Sequence, residues 1–96
     1  MNDGGKPNWD DLRIFAAIAA TGSLTAAATQ LRLSQPTIGR RLQALEECLG
    51  AALLERTPRG MQLTAKGQAL LPLVQQMEQA GDAIDRAAPG SRTSSR

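Results

Sequence analysis

Apolar and polar residues alternate with a helical period across residues 34–49, which read SQPTIGRRLQALEECL. The apolar residues of this segment recur at i, i+4, i+7 and i+11: Ile38, Leu42, Leu45 and Leu49. At 3.6 residues per turn they form one narrow stripe, which must face a hydrophobic core. Ser34 is a good N-cap, and Pro36 is tolerated in the first turn because an N–H there has no partner inside the helix. The pattern predicts an amphipathic helix that begins after Ser34.

The residues away from this stripe crowd the N-terminal half of the helix. They are Gln35, Pro36, Thr37, Gly39, Arg40 and Gln43. A DNA-recognition helix inserts this end into the major groove, where amide and guanidinium groups can reach base edges. Arg40 lies nearly opposite the stripe, so the alternative to a DNA contact is an ordinary solvated charge. Gln35 suits adenine by geometry, although a solvent-facing glutamine in a first turn needs no function.

Two shorter helices are predicted before this one. Asn8 caps the first, and Asp10 and Asp11 stand in its first turn, where the helix dipole favours negative charge. Its apolar face comprises Leu12, Phe15, Ala16 and Ala19. Ser23 caps a second, short helix, in which the helical period is followed by Leu24, Ala27, Ala28 and Leu31. Because only two residues separate this helix from the cap of the third, the segment predicts a helix-turn-helix.

A small hairpin is predicted after the third helix. Gly50 is well placed to end that helix in the left-handed conformation. Beyond it, Ala52–Arg56 and Met61–Leu63 are short candidate strands around the turn-forming sequence TPRG at 57–60. Arg59 stands at the tip of this wing, and a tip can reach DNA that a strand cannot.

A last helix is predicted from the Thr64 cap to about Ala88. Its apolar residues form two interleaved series with a spacing of seven: Leu70, Met77, Ile84 and Val74, Gly81, Ala88. This pattern is typical of a helix paired with another helix, and the alternative is a helix folded back on the domain core. We favour a dimerisation helix because the stripe is long and terminal. The expected dimer contacts are Leu70, Val74, Met77, Gly81 and Ile84.

Charge is distributed unevenly along the 96 residues, whose formal net charge is +2. Residues 32–66 carry six basic and three acidic side chains, whereas residues 1–31 carry two basic and three acidic ones. The positive excess therefore lies in the segment whose helical pattern already marks it as a candidate for DNA binding.

Composition argues against several other classes of protein. No apolar run approaches the roughly 20 residues that cross a bilayer, and the N-terminus lacks a signal-peptide pattern. We therefore expect a cytoplasmic, nucleoid-associated protein without a membrane partner. With no histidine and one cysteine, Cys48, the chain has no imidazole base, no zinc ligand set and no internal disulfide. We predict that it is not an enzyme and takes no metal or cofactor.

Two longer motifs, SLTAAATQLRLSQPTIGRRLQALEECLG and LLERTPRGMQLTAKG, resemble the N-terminal DNA-binding domain of LysR-type transcriptional regulators. The resemblance runs from about Trp9 to Ala88. It implies a bacterial-type regulator with a mainly α fold: a winged helix-turn-helix, with a three-helix core and a two-stranded wing, followed by a long linker helix that forms a homodimer. It also implies double-stranded DNA and the transcription machinery as partners. The recognition helix at 35–49 would enter the major groove, with the wing beside the minor groove.

Carried over residue by residue, the family's base-reading positions are Gln35, Pro36, Gly39 and Arg40. Ser34 and Thr37 then lie near the DNA backbone. Arg59 is the wing arginine at the minor groove, and Arg56 is structural or directed at phosphate. Many members of the family carry serine where this chain has Gly39, so a hydroxyl contact is absent and the bound sequence does not transfer.

Other candidates for DNA-backbone contacts have structural alternatives. Ser23 is a cap first, with phosphate binding at a helix N-terminus as a second role. Arg41 borders the apolar stripe, so a phosphate contact and a salt bridge to Glu46 or Glu47 stay equally open. Lys66 stands in a first helical turn, where the dipole disfavours cations, and is a phosphate contact or a solvated charge.

These observations divide the chain into a flexible N-terminus at 1–8, the DNA-binding domain at 9–63, the linker helix at 64–88 and a disordered tail at 89–96. A symmetric dimer predicts an interrupted palindrome as its DNA site. The family's effector-binding domain has no counterpart in this sequence, so we expect no small-molecule effector to bind this fragment. Two alternatives remain: another winged-helix regulator, such as a molybdate-responsive or MarR-like protein, and a helical interaction module that dimerises without DNA.

Overall fold

The computed structural model describes residues 7–87, which form four helices and a two-stranded sheet. In chain order the elements are α1 (Trp9–Thr21), α2 (Leu24–Leu31), α3 (Gln35–Leu49), β1 (Leu54–Thr57), β2 (Gly60–Leu63) and α4 (Ala65–Ala87). This order confirms the prediction of a mainly α winged helix-turn-helix followed by a long helix. The predicted tail at 89–96, the predicted helix end at Ala88 and most of the predicted N-terminal segment lie outside the described residues.

Side-chain oxygens cap the first three helices at the predicted positions. Asn8 accepts from the Asp10 N–H at 2.7 Å, Ser23 from the Ala26 N–H at 3.1 Å and Ser34 from the Thr37 N–H at 3.2 Å. Gly22 and Gly50 end α1 and α3 with φ angles of 73° and 74°. Both lie in the left-handed region, which glycine adopts without the penalty of a Cβ.

The turn between α2 and α3 depends on Arg32, which the sequence did not mark. Arg32 has φ 61° and ψ 41°, a left-handed conformation that costs a residue with a Cβ about 1–2 kcal/mol. The Leu33 N–H then donates to the Ala28 carbonyl at 3.0 Å, so the last turn of α2 is closed. This tight connection sets α3 across α2.

The core lies between the first three helices, the start of β1 and the N-terminal half of α4. Its buried residues are Leu12, Ile14, Phe15, Ala17, Ile18, Ala27, Ala28, Ile38, Leu42, Leu45, Leu53, Leu54 and Val74. The predicted stripe of α3 is confirmed for its first three members, while Leu49 is half-buried. α1 is buried over a wider arc than predicted, because Ile14 and Ile18 also enter the core.

The wing is an antiparallel pair in which Leu54 faces Leu63 and Thr57 faces Gly60. β1 begins two residues later than predicted, and the segment at 52–53 is not a strand. The Met61 N–H donates to the Gly22 carbonyl at 3.0 Å, so the wing rests on the turn between α1 and α2. An added Cβ at Gly60 would lie 2.7 Å from that same carbonyl oxygen, so this close approach requires glycine.

α4 folds back on its own domain along part of its length, which corrects the predicted dimer seam. Val74 is 1% exposed within its own chain, so it is not available to a partner. Gly81 faces the Trp9 ring, with 3.5 Å between its ideal Cβ and Trp9 Cζ2. The large apolar residues that α4 leaves exposed are Leu73 at 56% and Ile84 at 66%. The heptad pattern detected the apolar arc of α4 but could not separate the side that faces α1 from the side that faces outward.

Candidate nucleic-acid interface

α3 presents two different sides, as the sequence predicted. Ile38 and Leu45, at 0% and 1% exposure, fix one side in the core. On the other side Gln35, Pro36 and Arg40 are all exposed within the first two turns. The structure therefore brings these predicted base-reading residues together on one outward surface, which we call the reading turn.

Gly39 lies beside the reading turn and leaves open space. It is half-buried, and an ideal Cβ built on it would have nothing within 4 Å. A helical glycine without a close neighbour costs about 1 kcal/mol relative to alanine. Nothing in the packing of residues 7–87 requires glycine here, and a larger side chain would project into open space.

Arg41 is held by Asp11 of α1, not by Glu46 or Glu47 as the sequence suggested. Its Nε donates to Asp11 Oδ1 at 2.7 Å, and the carboxylate side chain is only 13% exposed. The contact joins residues 30 positions apart and ties the recognition helix to α1. Of the two roles left open for Arg41, the geometry supports the salt bridge.

The first turn of α3 is organised by hydroxyl groups. The Ser34 and Thr37 hydroxyl oxygens lie 2.8 Å apart, in addition to the capping bond between them. Thr25, near the start of α2, donates its hydroxyl hydrogen to Gln35 Oε1 at 2.9 Å. Polar groups from both helices of the helix-turn-helix thus meet at one point on the exposed surface.

The wing carries two exposed arginines. Arg59 lies in the turn between the strands, where its N–H donates to the Thr57 hydroxyl oxygen at 3.1 Å. That hydroxyl in turn donates to the Gly60 carbonyl at 2.9 Å, so the turn has a fixed backbone. Arg56 lies on β1 opposite Met61 and is also exposed.

Two other residues, Ser23 and Lys66, were predicted to contact the DNA backbone. Ser23 is half-buried and its hydroxyl oxygen is engaged as the cap of α2. Lys66 lines a cleft with Leu49 and Leu53 at the C-terminal end of α3. α3 has 15 residues at about 1.5 Å each, so its C-terminal end lies roughly 20 Å from Gln35. Lys66, beside that end, is therefore far from the reading turn. The phosphate contacts of Ser23 and Lys66 stay predictions.

The arginines of the reading turn and of the wing have no acidic partner among residues 7–87. Between residues 7 and 87 the ion pairs join Arg41 to Asp11 and Arg13 to Glu78, the latter at 4.0 Å. Within the same range, Arg40, Arg56 and Arg59 are exposed and have no carboxylate within 4.0 Å. The arrangement offers three uncompensated guanidinium groups to an anionic partner.

The described residues show neither a metal site nor a membrane span. They contain no group of three or more Cys, Asp or Glu side chains placed to hold a metal ion. None of the helices between residues 7 and 87 has the length and apolar character that a membrane span requires.

Residues 9–68 match the family described as bacterial regulatory helix-turn-helix protein, lysR family. The chain belongs to the LysR family. The match runs from the start of α1 into the first turn of α4 and so includes the whole helix-turn-helix and the wing. It decides between the regulators considered above, because molybdate-responsive and MarR-like proteins are different winged-helix families.

Relatives of this LysR-family chain include proteins seen with DNA. TcbR of Pseudomonas sp. (strain P51), an HTH-type transcriptional regulator, is 46% identical over 82 residues, which are 84% of this chain and 28% of TcbR. In the crystal structure of the CbnR_DBD–DNA complex, the protein is 44% identical in sequence to this chain. The two superpose with a TM-score of 0.74, and the match covers 93% of this chain and 99% of that chain. The protein of the BenM_DBD/benA site 1 DNA complex is 32% identical in sequence, with a TM-score of 0.80. The match covers 85% of this chain and 95% of that chain.

Three residues that position the reading turn or the wing had no clear signal in the sequence. Asp11 was recognised only as a favourable first-turn residue, yet it holds Arg41. Thr25 was not singled out, although it contacts Gln35. Glu46 accepts from the N–H groups of Leu53 and Leu54 at 2.8 and 3.3 Å and so places the start of the wing. All three act across element boundaries, where spacing along one helix carries no information.

Proposed function

We propose that this chain binds double-stranded DNA sequence-specifically as a homodimer and thereby regulates transcription. The observation that carries the proposal is the division of α3: the Ile38 side is buried in the core, while Gln35 and Arg40 project together from its N-terminal end. A recognition helix needs both properties, because the buried side fixes its orientation while the other side enters the major groove. Arg40 is the candidate for a bidentate contact to guanine.

The wing extends the same surface in this proposal. Arg59 stands at a turn tip whose backbone is fixed by Thr57, and it has no carboxylate partner between residues 7 and 87. A guanidinium group in this position suits the negative potential of a minor groove. Arg56, on the adjacent strand, is placed for phosphate. The solved DNA complexes of CbnR_DBD and BenM_DBD support DNA binding by a domain of this fold.

The homodimer is proposed on the outer side of α4. Exposed or half-buried apolar residues follow one another there at helical spacing: Leu73, Met77, Ala80, Ile84 and Ala87. An antiparallel pair of these helices, related by a two-fold axis, brings Leu73 opposite the partner's Ile84 and Met77 opposite the partner's Ala80. Each large side chain then meets a complementary one, so the face fits a second copy of itself. This face replaces the predicted seam that included Val74.

Several further properties belong to the proposal. The chain spans 28% of the length of TcbR, and we expect that it binds no small-molecule effector. We infer a binding protein that carries out no catalysis, since its named relatives are transcriptional regulators. The transcription machinery would be a partner of the DNA-bound dimer. A cytoplasmic, nucleoid-associated location follows from this function.

Selection from a random duplex pool tests the proposal. We expect the 96-residue chain to enrich an interrupted palindrome with half-sites about one helical turn, or a multiple of it, apart. The logarithm of the affinity should fall linearly with the logarithm of salt concentration, with a slope of about −0.9 per phosphate contacted. An interaction module that does not bind DNA would enrich no sequence and show no salt-dependent shift. Enrichment of a single unpaired half-site would contradict the dimer.

A further inference from the structure

Thr25 and Gln35 are joined across the turn of the helix-turn-helix. The Thr25 hydroxyl donates to Gln35 Oε1 at 2.9 Å, a bond between side chains ten positions apart. Thr25 is in the first turn of α2, Gln35 is the first residue of α3, and both side chains are exposed. An exposed glutamine at this point would otherwise be free to rotate in solvent.

The bond holds the Gln35 amide in one position at the start of α3. A glutamine amide has a carbonyl that accepts and an NH₂ that donates, and the two ends exchange places when the amide flips. The Thr25 hydroxyl could also accept from Nε2, so what the bond holds is the position of the amide; in the structure Oε1 is the atom that faces Thr25. Among residues 7–87 the Gln35 side chain bonds through Oε1, so both hydrogens of Nε2 are available to a partner. Oε1 retains a second lone pair.

We propose that Thr25 is a specificity-determining residue that acts through Gln35, an inference that rests on the proposed DNA-binding function. Adenine presents N7 as an acceptor and N6 as a donor in the major groove, and glutamine reads both only if its two ends are correctly placed. Thr25 holds the amide in position before DNA arrives. It also removes side-chain freedom that binding would otherwise have to remove. Thr25 is a positioning residue, and Gln35 makes the base contact.

A direct phosphate contact by Thr25 is the competing role. A hydroxyl near a helix N-terminus can donate to a phosphate oxygen, which would strengthen binding to every sequence alike. The two roles differ in base discrimination and in dependence on Gln35, since a positioning residue has no effect once the residue it positions is gone. A double-mutant cycle therefore separates them.

The experiment uses the full 96-residue chain and a duplex selected from a random pool. The base pair read by Gln35 is first located as the one whose preference is lost in Gln35→Ala. Dissociation constants are then measured for the four duplexes that differ at this base pair and for a scrambled duplex. The variants are Thr25→Val, which keeps the shape but removes the hydroxyl, Thr25→Ser, which keeps the hydroxyl, and Thr25→Val combined with Gln35→Ala.

We expect Thr25→Val to reduce discrimination at this base pair by about three- to tenfold, with little change on the scrambled duplex. Thr25→Ser should retain the wild-type preference, and Thr25→Val should have no further effect in the Gln35→Ala background. Equal loss on all duplexes, persisting in that background, would overturn the inference in favour of a phosphate contact. A Gln35→Ala protein that keeps every base preference would overturn it too. Failure of the wild type to enrich any duplex would instead overturn the proposed function itself.

Discussion

The carboxylate of Glu46, in the last turn of α3, accepts a hydrogen bond from the backbone N–H of Leu53 at 2.8 Å. Leu53 is 0% exposed, so its N–H has no access to solvent and depends on this acceptor. The bond links the recognition helix directly to the segment that enters the wing. The orientation of Arg59 relative to the reading turn therefore depends in part on Glu46.

Removing this acceptor should destabilise the protein. We expect Glu46→Ala to lower the free energy of unfolding by about 1–3 kcal/mol, since a buried donor loses a charged partner. Glu46→Gln keeps an acceptor oxygen and should lose less. Glu47→Ala is the matched control, because this exposed neighbour should change stability by at most about 0.5 kcal/mol. Urea denaturation monitored by circular dichroism measures all three, and equal effects for Glu46→Ala and Glu47→Ala would contradict the role of Glu46.

Arg41 is expected to contribute to stability and not to the number of phosphate contacts. Its bond to Asp11 is partly exposed, so we expect a coupling free energy of about 0.5–1 kcal/mol in a double-mutant cycle of Arg41→Ala and Asp11→Ala. Asp10→Ala, at the exposed adjacent position, should show no coupling to Arg41. The slope of the logarithm of DNA affinity against the logarithm of salt concentration should be the same in Arg41→Ala as in the wild type. A slope reduced by about 0.9 would mean that Arg41 contacts a phosphate.

Two helical glycines should respond in opposite directions to substitution by alanine. A Cβ on Gly67 would overlap the Leu53 carbonyl oxygen and crowd the Leu63 side chain. Gly67→Ala should therefore lower the free energy of unfolding by about 1–3 kcal/mol. Gly39→Ala meets nothing within 4 Å and should raise it by up to about 1 kcal/mol through helix propensity. Thermal unfolding of both variants checks this pair. A Gly67→Ala protein as stable as the wild type would contradict the close approach of α4 to the segment that enters β1.

The outer face of α4 should control the oligomeric state. Burying an isoleucine is worth about 1.5–3 kcal/mol, and Ile84 occurs twice in a two-fold dimer. Ile84→Glu should therefore weaken the dimer at least about tenfold by sedimentation equilibrium. Gln79→Glu introduces the same charge on another exposed side of α4 and should leave the dimer unchanged. If Ile84→Glu dimerises as well as the wild type, the second copy binds elsewhere.

Local signals in the sequence were sufficient for the helices and their ends. Asn8, Ser23 and Ser34 cap helices through groups two or three residues away, and such short-range chemistry is readable from spacing. The apolar stripe that includes Ile38 and Leu45 was also readable, because its period is that of the helix itself. The exposed end of α3, and with it the reading turn, follows from these two signals alone.

Contacts between elements were not readable in the same way. Arg41 meets Asp11 and Thr25 meets Gln35 only because the helices cross at particular angles. The strand bounds also differed: β1 is Leu54–Thr57 and β2 begins at Gly60, whereas the predicted strands were 52–56 and 61–63. In the predicted dimer seam, Val74 is the residue that the structure places in the core. Its position fits a heptad pattern and a core position equally well.

Arg40 is the residue proposed to read a base from the exposed end of α3. The most direct measurement is the ratio of affinities for the selected duplex and a scrambled duplex, compared between the wild type and Arg40→Ala. Arg86→Ala, which removes the same charge from the exposed end of α4, serves as the control. We expect Arg40→Ala to lower this ratio between about five- and 150-fold, equivalent to about 1–3 kcal/mol, while Arg86→Ala leaves it unchanged. Equal losses on the two duplexes in Arg40→Ala would show that Arg40 supplies only charge, and would contradict the assignment of the reading turn.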